Sequence, residues 1–158
     1  MIEIQENWKE VDWLSIVNLY ESVNWSTYSN DPDSLLKAFE NSTFIAIAIA
    51  IAIDEGEGEG KDGDENKVCG LVRSLSDDVS IHYLQDILIH PSYQKRGIGR
   101  MLFNKALARF EHVRTHMLLT DNEEKQISFY ESLGYSRINT LKDIPLNAFV
   151  KMKGVSLS

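Results

Sequence analysis

Apolar and polar positions along this chain of 158 residues change period several times, and each change marks an element. Ile2 and Ile4 alternate with polar neighbours and predict a short strand. From about Trp8 or Val11 to Ser22 the period lengthens, and Val11, Leu14, Ile16 or Val17, and Tyr20 form the apolar stripe of a helix. Residues 24–32 are rich in turn formers and carry two large aromatics, Trp25 and Tyr28. Asp33 or Ser34 is placed to cap a second helix through Leu35, Leu36 and Phe39. Strands follow at 44–53, near 68–75 and at 79–90, then a helix over 97–112 with Ile98, Met101, Leu102, Ala106 and Phe110 on its apolar side. His116 opens one more apolar strand. A helix then ends at Gly134, where a C-cap glycine belongs, and residues 135–140 can form another strand.

Two stretches are low in complexity. Over 45–53 isoleucine alternates with alanine, which gives a strand one bulky face and one small face and suits a central strand with helices on both sides. So uniform a pattern specifies register poorly. Residues 54–60 repeat Glu and Gly; they repel one another and bury nothing, so a hairpin tip is expected near 54–66. Its acidic positions are out of register for a calcium loop.

Composition bounds the rest. The length suits a single domain, 1–158, with a real core. Cys69 is the one cysteine, which leaves no internal disulfide and no thiol-rich zinc site; between Val68 and Gly70 it reads as a small buried hydrophobe. His82, His90, His112 and His116 show no metal-ligand spacing, so no metal is expected. The first residues lack the basic and long apolar regions of a signal peptide, and a cytoplasmic location is expected. A net charge of −8 argues against nucleic acid as a partner, and nothing suggests a membrane. It is mildly favourable to cationic substrates such as amines, although solubility explains it equally well.

Residues 87–100 carry the chemistry. Ile87, Leu88 and Ile89 end an apolar strand, a polar turn follows, and Gly97 and Gly99 punctuate the entry to a helix. A helix start offers unpaired N–H groups and partial positive charge, so it seats phosphate well. Lys95, Arg96 and Arg100 gather three cations there in an acidic chain. The pattern is neither a P-loop nor a dinucleotide fingerprint, since there is no Gly-Lys-Ser/Thr and Leu102 occupies the third glycine position. What Gln94, Gly97 and Gly99 do fill is the pattern [QR]-x-x-G-x-[GA] after a strand. Further on, Phe129, Tyr130, Gly134 and Tyr135 complete F-Y-x-x-x-G-[FY].

On these two motifs the chain resembles the GCN5-related N-acetyltransferases. The resemblance implies an α/β fold, a mixed central sheet flanked by helices in the order βααβββαβαββ. It implies acetyl-CoA as co-substrate, held by Ile87, Leu88 and Ile89 of the strand and by Gln94, Lys95, Arg96, Gly97, Ile98, Gly99 and Arg100 of the turn. The strand beside 87 would splay from its parallel neighbour just past Ile87, and Leu88 and Ile89 would bond the arm of CoA. Tyr130 corresponds to the family's frequent general acid; its other reading is a core-edge aromatic. The family's asparagine seven residues before that tyrosine is replaced here by Glu123, with Asn122 one place earlier.

The acceptor side is less determined. The strand before the turn has Tyr83 and Gln85 where relatives place a base, and neither is a strong one. Asp86 is charged, but strict alternation groups it with Leu84 and Leu88 on the opposite face unless a bulge re-aims it. It reads either as a catalytic carboxylate or as a buried partner of a cation such as Arg73. The spacing of Arg73, Asp77, Tyr83 and Asp86 resembles a bacterial subset of the family. Trp25 and Tyr28 lie on the loop that covers the acceptor in relatives; they either enclose the amine or anchor the loop. The expected partner is a small-molecule amine or a peptide amino group, with homodimerisation left open. Three functions follow: an N-acetyltransferase, a non-catalytic acyl-CoA sensor, and an interaction protein using its acidic tip.

Overall fold

The computed structural model describes residues 1–51 and 66–156, so most of the strand end and the acidic tip expected over 51–66 lie outside the described residues. Two compact units are present, Met1–Leu119 and the residues from Thr120 onward.

The first unit is built on a five-stranded sheet: β1 (Ile2–Gln5), β2 (Phe44–Ala50), β3 (Lys67–Ser76), β4 (Ile81–Ile89) and β5 (Thr115–Leu118), adjacent in that order. The first three pairings are antiparallel and β4–β5 is parallel. Its helices are α1 (Trp13–Ser22), α2 (Ser26–Ser29), α3 (Pro32–Glu40) and α4 (Ile98–Arg109). Asp12 caps α1, its carboxylate accepting from the Ser15 N–H at 2.8 Å. Asp31, not Asp33 or Ser34, caps α3, because Pro32 takes the first helical position, where its missing N–H costs nothing.

The Ile-Ala alternation does what its pattern implies. Ile45, Ile47 and Ile49 pack with Ile16, Leu19 and Tyr20 of α1 and Leu35 and Phe39 of α3. The alanine face turns to α4, whose Ile98, Leu102, Phe103 and Ala106 are buried. Small residues let the helix come close: a Cβ added to Gly70, opposite Ala48, would meet Ile89 Cδ1 at 2.7 Å and Leu102 Cδ1 at 3.1 Å. Met101, expected in this stripe, is exposed, and Phe103 takes its place. Leu14 is likewise exposed at 64%, because α1 buries Ile16, Leu19 and Tyr20 instead.

The ladders slip at two points. Cys69 is the extra residue between the Ala48–Gly70 and Ile49–Val68 pairs, and Gln85 the extra one between Arg73–Asp86 and Ser74–Leu84. Cys69 is buried and donates its thiol to the Ala48 carbonyl at 3.3 Å, as a packed hydrophobe would.

Near the outer edge, His82 of β4 lies beside His116 of β5, their Nδ1 atoms 2.9 Å apart. His82 Nε2 is 2.9 Å from Ser74 Oγ, and its ring stacks on Phe110 at 4.3 Å. Burial, and secondarily His116, lowers the His82 pKa from 6.5 to about 4. The folded state therefore holds this ring neutral where the unfolded chain would protonate it. Stability should be complete above pH 6.5 and fall as pH drops from 6.5 to about 4, by up to roughly 3 kcal/mol. Urea unfolding of wild type and His82→Gln across that range checks this: the variant should lose part of the slope, and identical slopes would exclude His82 as its source.

In the second unit α5 spans Glu124–Glu131. Gly134, at φ +90°, ends it with two bonds, its own N–H to the Glu131 carbonyl and the Tyr135 N–H to the Tyr130 carbonyl at 3.2 Å. The strand expected at 135–140 does not form. Ile138–Thr140 is a 3₁₀ turn, in which the Thr140 hydroxyl bonds the Arg137 carbonyl at 2.8 Å and competes with a ladder. No strand follows among the described residues.

Candidate active site

After β4 the chain makes a short 3₁₀ turn, Pro91–Tyr93, and enters α4 through Gly97. Gly97 has φ +79°, left-handed backbone that glycine adopts without a Cβ penalty, and no atom lies within 4 Å of where its Cβ would stand. No side chain caps this helix start, and the Met101 N–H is already the one that returns to the Gly97 carbonyl. The first N–H groups of α4, from Ile98 and Gly99, thus have neither a capping side chain nor a preceding turn to bond. Lys95, itself at φ +61°, and Arg96 are exposed beside them. The Arg96 guanidinium sits over the Tyr93 ring at 5.0 Å. Gln94 folds back, its amide donating to the Ile89 carbonyl at 3.4 Å, so the turn is stitched to the end of β4. An anion-binding cradle results, with open space where a side chain would otherwise stand.

The strand leading into that turn has one open edge. β5 accompanies β4 only to the Leu84–Leu118 pair, three residues earlier than the expected parting past Ile87. Beyond it, among the described residues, β4 is paired on one side, with β3. The His90 N–H donates to the Cys69 carbonyl at 2.9 Å. Alternation in an antiparallel ladder then directs the backbone groups of Leu88 toward β3 as well, and those of Ile87 and Ile89 toward the open edge. Ile87 and Ile89 replace the expected Leu88 and Ile89 as the pair able to bond an extended ligand.

The bulge at Gln85 decides the opposite side of the site. It turns Asp86 away from the face of Leu84 and toward α1, so Tyr83, Gln85 and Asp86 converge. Asp86 is 2% exposed; its Oδ2 accepts from the Tyr20 hydroxyl at 2.8 Å and from Arg73 Nε at 2.6 Å. Its Oδ1 lies 3.5 Å from the Tyr28 hydroxyl, and Gln85 Nε2 donates to that hydroxyl at 3.4 Å. Burial first, then the charge of Asp86 and the nearby Tyr28, raises the Tyr83 pKa, while the Leu119 N–H opposes this. Tyr20 is pushed well above the ordinary tyrosine value by burial and by Asp86. Trp25 packs against Tyr20 and Tyr28 at 6.1 and 6.2 Å between ring centres and keeps 36% of its surface exposed. Through Tyr20 and Tyr28, Trp25 is thus connected to Gln85 and Asp86.

Asp86 has the geometry of a buried ion-pair partner. Removing it leaves Arg73 charged, 4% exposed and without its countercharge. Asp86→Ala should cost about 3–5 kcal/mol of stability, and the apolar pair Arg73→Met with Asp86→Leu should recover most of it. Chemical denaturation of the three proteins measures both effects. An Asp86→Ala protein as stable as wild type would show that the carboxylate does not hold the fold.

Tyr130 belongs to the second unit. It is buried on α5 beside Phe129 and Tyr135, with ring centres 5.2 and 6.3 Å away. Burial raises its pKa to about 12, opposed by a hydrogen bond with the Thr120 side chain. It is a phenol fully protonated at neutral pH.

Sequence reasoning missed two members of these clusters. Periodicity reads Tyr20 as packing alone, yet a buried tyrosine hydroxyl needs a partner, and a strand carboxylate is a natural one. The His82–His116 pair shows no sequential spacing, because β4 and β5 are joined only through the intervening helix.

Comparison with known proteins gives a concordant picture. Residues 47–137 match a family described as an acetyltransferase (GNAT) domain. A GNAT-family acetyltransferase of Streptococcus pneumoniae superposes with a TM-score of 0.71 at 30% identity, over 96% of this chain and 98% of that one. A Gibberella zeae protein assigned by name to the acetyltransferases is 38% identical over 98 residues, 60% of this chain and 50% of its own length. An Arabidopsis thaliana protein named GCN5-related N-acetyltransferase 2, chloroplastic, is 26% identical over 132 residues, 80% of this chain and 50% of its own. The chain thus spans about half the length of the curated relatives it matches.

Proposed function

The chain belongs to the GNAT family of acetyltransferases, and on that premise we propose that it is an acetyl-CoA-dependent N-acetyltransferase acting on a primary amine of a small molecule or peptide. The observation that carries the reading is the continuity of two features: an uncapped helix start behind Gly97, and the open edge of β4 that leads into it. Phosphates need N–H donors and cations, and an extended amide-bearing arm needs a strand edge. Here the two occur within a dozen residues.

Acetyl-CoA supplies an activated acetyl group, whose thioester carbonyl takes the amine and whose sulfur leaves as a thiolate. The N–H groups at the start of α4, with Lys95, Arg96 and Arg100, hold the pyrophosphate. Ile87 and Ile89 bond the arm. Tyr130 is assigned the proton given to the departing sulfur, because it is held as a neutral phenol and completes the second motif. Tyr83, Gln85, Tyr28 and Trp25 face the acceptor. The acceptor's ammonium, with an ordinary pKa near 10, must also lose a proton. Asp86 is committed to Arg73 and Tyr20, and the other polar groups described on this face, Tyr28, Tyr83 and Gln85, are phenols and an amide, so we assign that proton to solvent.

The same commitment of Asp86 favours one alternative, an acyl-CoA-binding module without turnover. Thermal stabilisation by acetyl-CoA tests binding, since a ligand specific to the native state raises Tm. Release of CoA thiol in the presence of amines tests turnover. Stabilisation without release would support the sensor; neither would dismiss both readings.

A further inference from the structure

The acceptor face has an unusual balance of charge and surface. Among the described residues its buried carboxylate, Asp86, is paired at 2.6 Å with Arg73, so the two buried charges cancel. Around them stand aromatic rings: Tyr20 and Tyr28 with centres 5.1 Å apart, and the half-open Trp25. Arg73 is not available to a substrate anion. Its Nε is spent on Asp86, its Nη1 on the Ser42 hydroxyl at 3.2 Å, and its plane lies over Phe39 at 5.9 Å.

Building on the acetyltransferase reading, we propose that the acceptor is a singly charged primary amine on an aromatic or flat apolar body, and that Tyr28 is the residue that selects it. The Tyr28 hydroxyl donates inward to Asp86 Oδ1 and accepts from Gln85 Nε2 at 3.4 Å, which leaves one lone pair of its oxygen for an incoming donor, enriched in negative character by the bond to the carboxylate. An amine N–H then finds an acceptor there, with Gln85 Oε1 as a second. The hydrocarbon part of the substrate lies on the exposed side of Trp25 and on the Tyr28 ring, where apolar contact and cation–π attraction act together. Other amines fit this face less well. A polyamine or an aminoglycoside brings several cations to a face whose buried carboxylate, Asp86, is already neutralised. An amino acid brings a carboxylate to an Arg73 that is 4% exposed and already paired with Asp86.

Initial rates of CoA thiol release with phenethylamine, spermidine, an aminoglycoside and a short peptide test this, with acetyl-CoA-dependent Tm shifts measured in parallel. Phenethylamine should show kcat/KM at least roughly tenfold above each of the others. Tyr28→Phe keeps the ring and loses the hydroxyl. It should lower kcat/KM for phenethylamine about tenfold, mostly through KM, and leave both the KM and the Tm shift for acetyl-CoA unchanged. Trp25→Ala should raise the amine KM in the same selective way. Preference for spermidine, the aminoglycoside or the peptide overturns the substrate class while leaving the acetyltransferase reading intact. An undiminished Tyr28→Phe overturns the role of Tyr28. Absence of any acetyl-CoA Tm shift strikes the underlying reading itself and the inference with it.

Discussion

Replacing Gly97 by valine is expected to weaken acetyl-CoA binding by two orders of magnitude or more while leaving a folded protein. The backbone there has φ +79°, and a side chain forced into that region costs on the order of 1–3 kcal/mol, most for a β-branched residue. Within the protein a Cβ would meet no atom closer than 4 Å, so the packing of α4 and β4 is not at stake. What it would fill is the open space in front of the first N–H groups of α4. A ligand phosphate needs that space to come within hydrogen-bond distance of those donors, and a branched side chain excludes it. Titration calorimetry with acetyl-CoA measures the loss, and circular dichroism confirms the fold. Unchanged affinity in a folded Gly97→Val protein would remove this turn from the binding site.

Tyr130→Phe carries the second large effect, and it should fall on a different constant. The substitution takes away one hydroxyl and keeps the ring that packs with Phe129 and Tyr135. Acetyl-CoA affinity should therefore persist. The turnover number should fall by about 10²–10⁴, the usual weight of general acid catalysis. A phenol whose pKa stands at about 12 stays protonated through the whole physiological range, so its donor capacity should not titrate between pH 6 and 9. Steady-state kinetics with both substrates varied separates the outcomes. A rise in the Michaelis constant for acetyl-CoA with kcat unchanged would make Tyr130 a binding residue. Full activity would leave it a packing residue only.

How much of this was legible in the sequence follows from what each feature depends on. The Ile-Ala strand and the glycine turn are local: alternation alone separates a bulky face from a small one, the structure placing α1 and α3 on the isoleucine side, and a helix start after a strand needs only its neighbours. Gly134 was legible for the same reason. Helix faces were read less well, because Leu14 and Met101 satisfy the period yet end in solvent, while Phe103 satisfies it on the adjacent face and is buried. The grouping of Asp86 with Tyr83 and Gln85 could not be read from alternation, since it depends on one extra residue in β4 whose presence is set by the pairing with β3. The Arg73–Asp86 pair was an open alternative until the bulge decided which way the carboxylate points. The strand expected after α5 rested on residues 135–140, where Ser136, Arg137, Asn139 and Thr140 supply turn chemistry as readily as strand character, and the turn prevailed.

The central claim is that this protein moves an acetyl group from CoA to nitrogen. Incubation of the wild-type chain with acetyl-CoA and phenethylamine, followed by thiol quantification and mass spectrometry of the amine, tests it most directly. The expected result is CoA released in equal amount to N-acetylated amine, dependent on enzyme and abolished in Gly97→Val. Binding of acetyl-CoA with no acetylated amine from any member of the panel, or no binding at all, would contradict it.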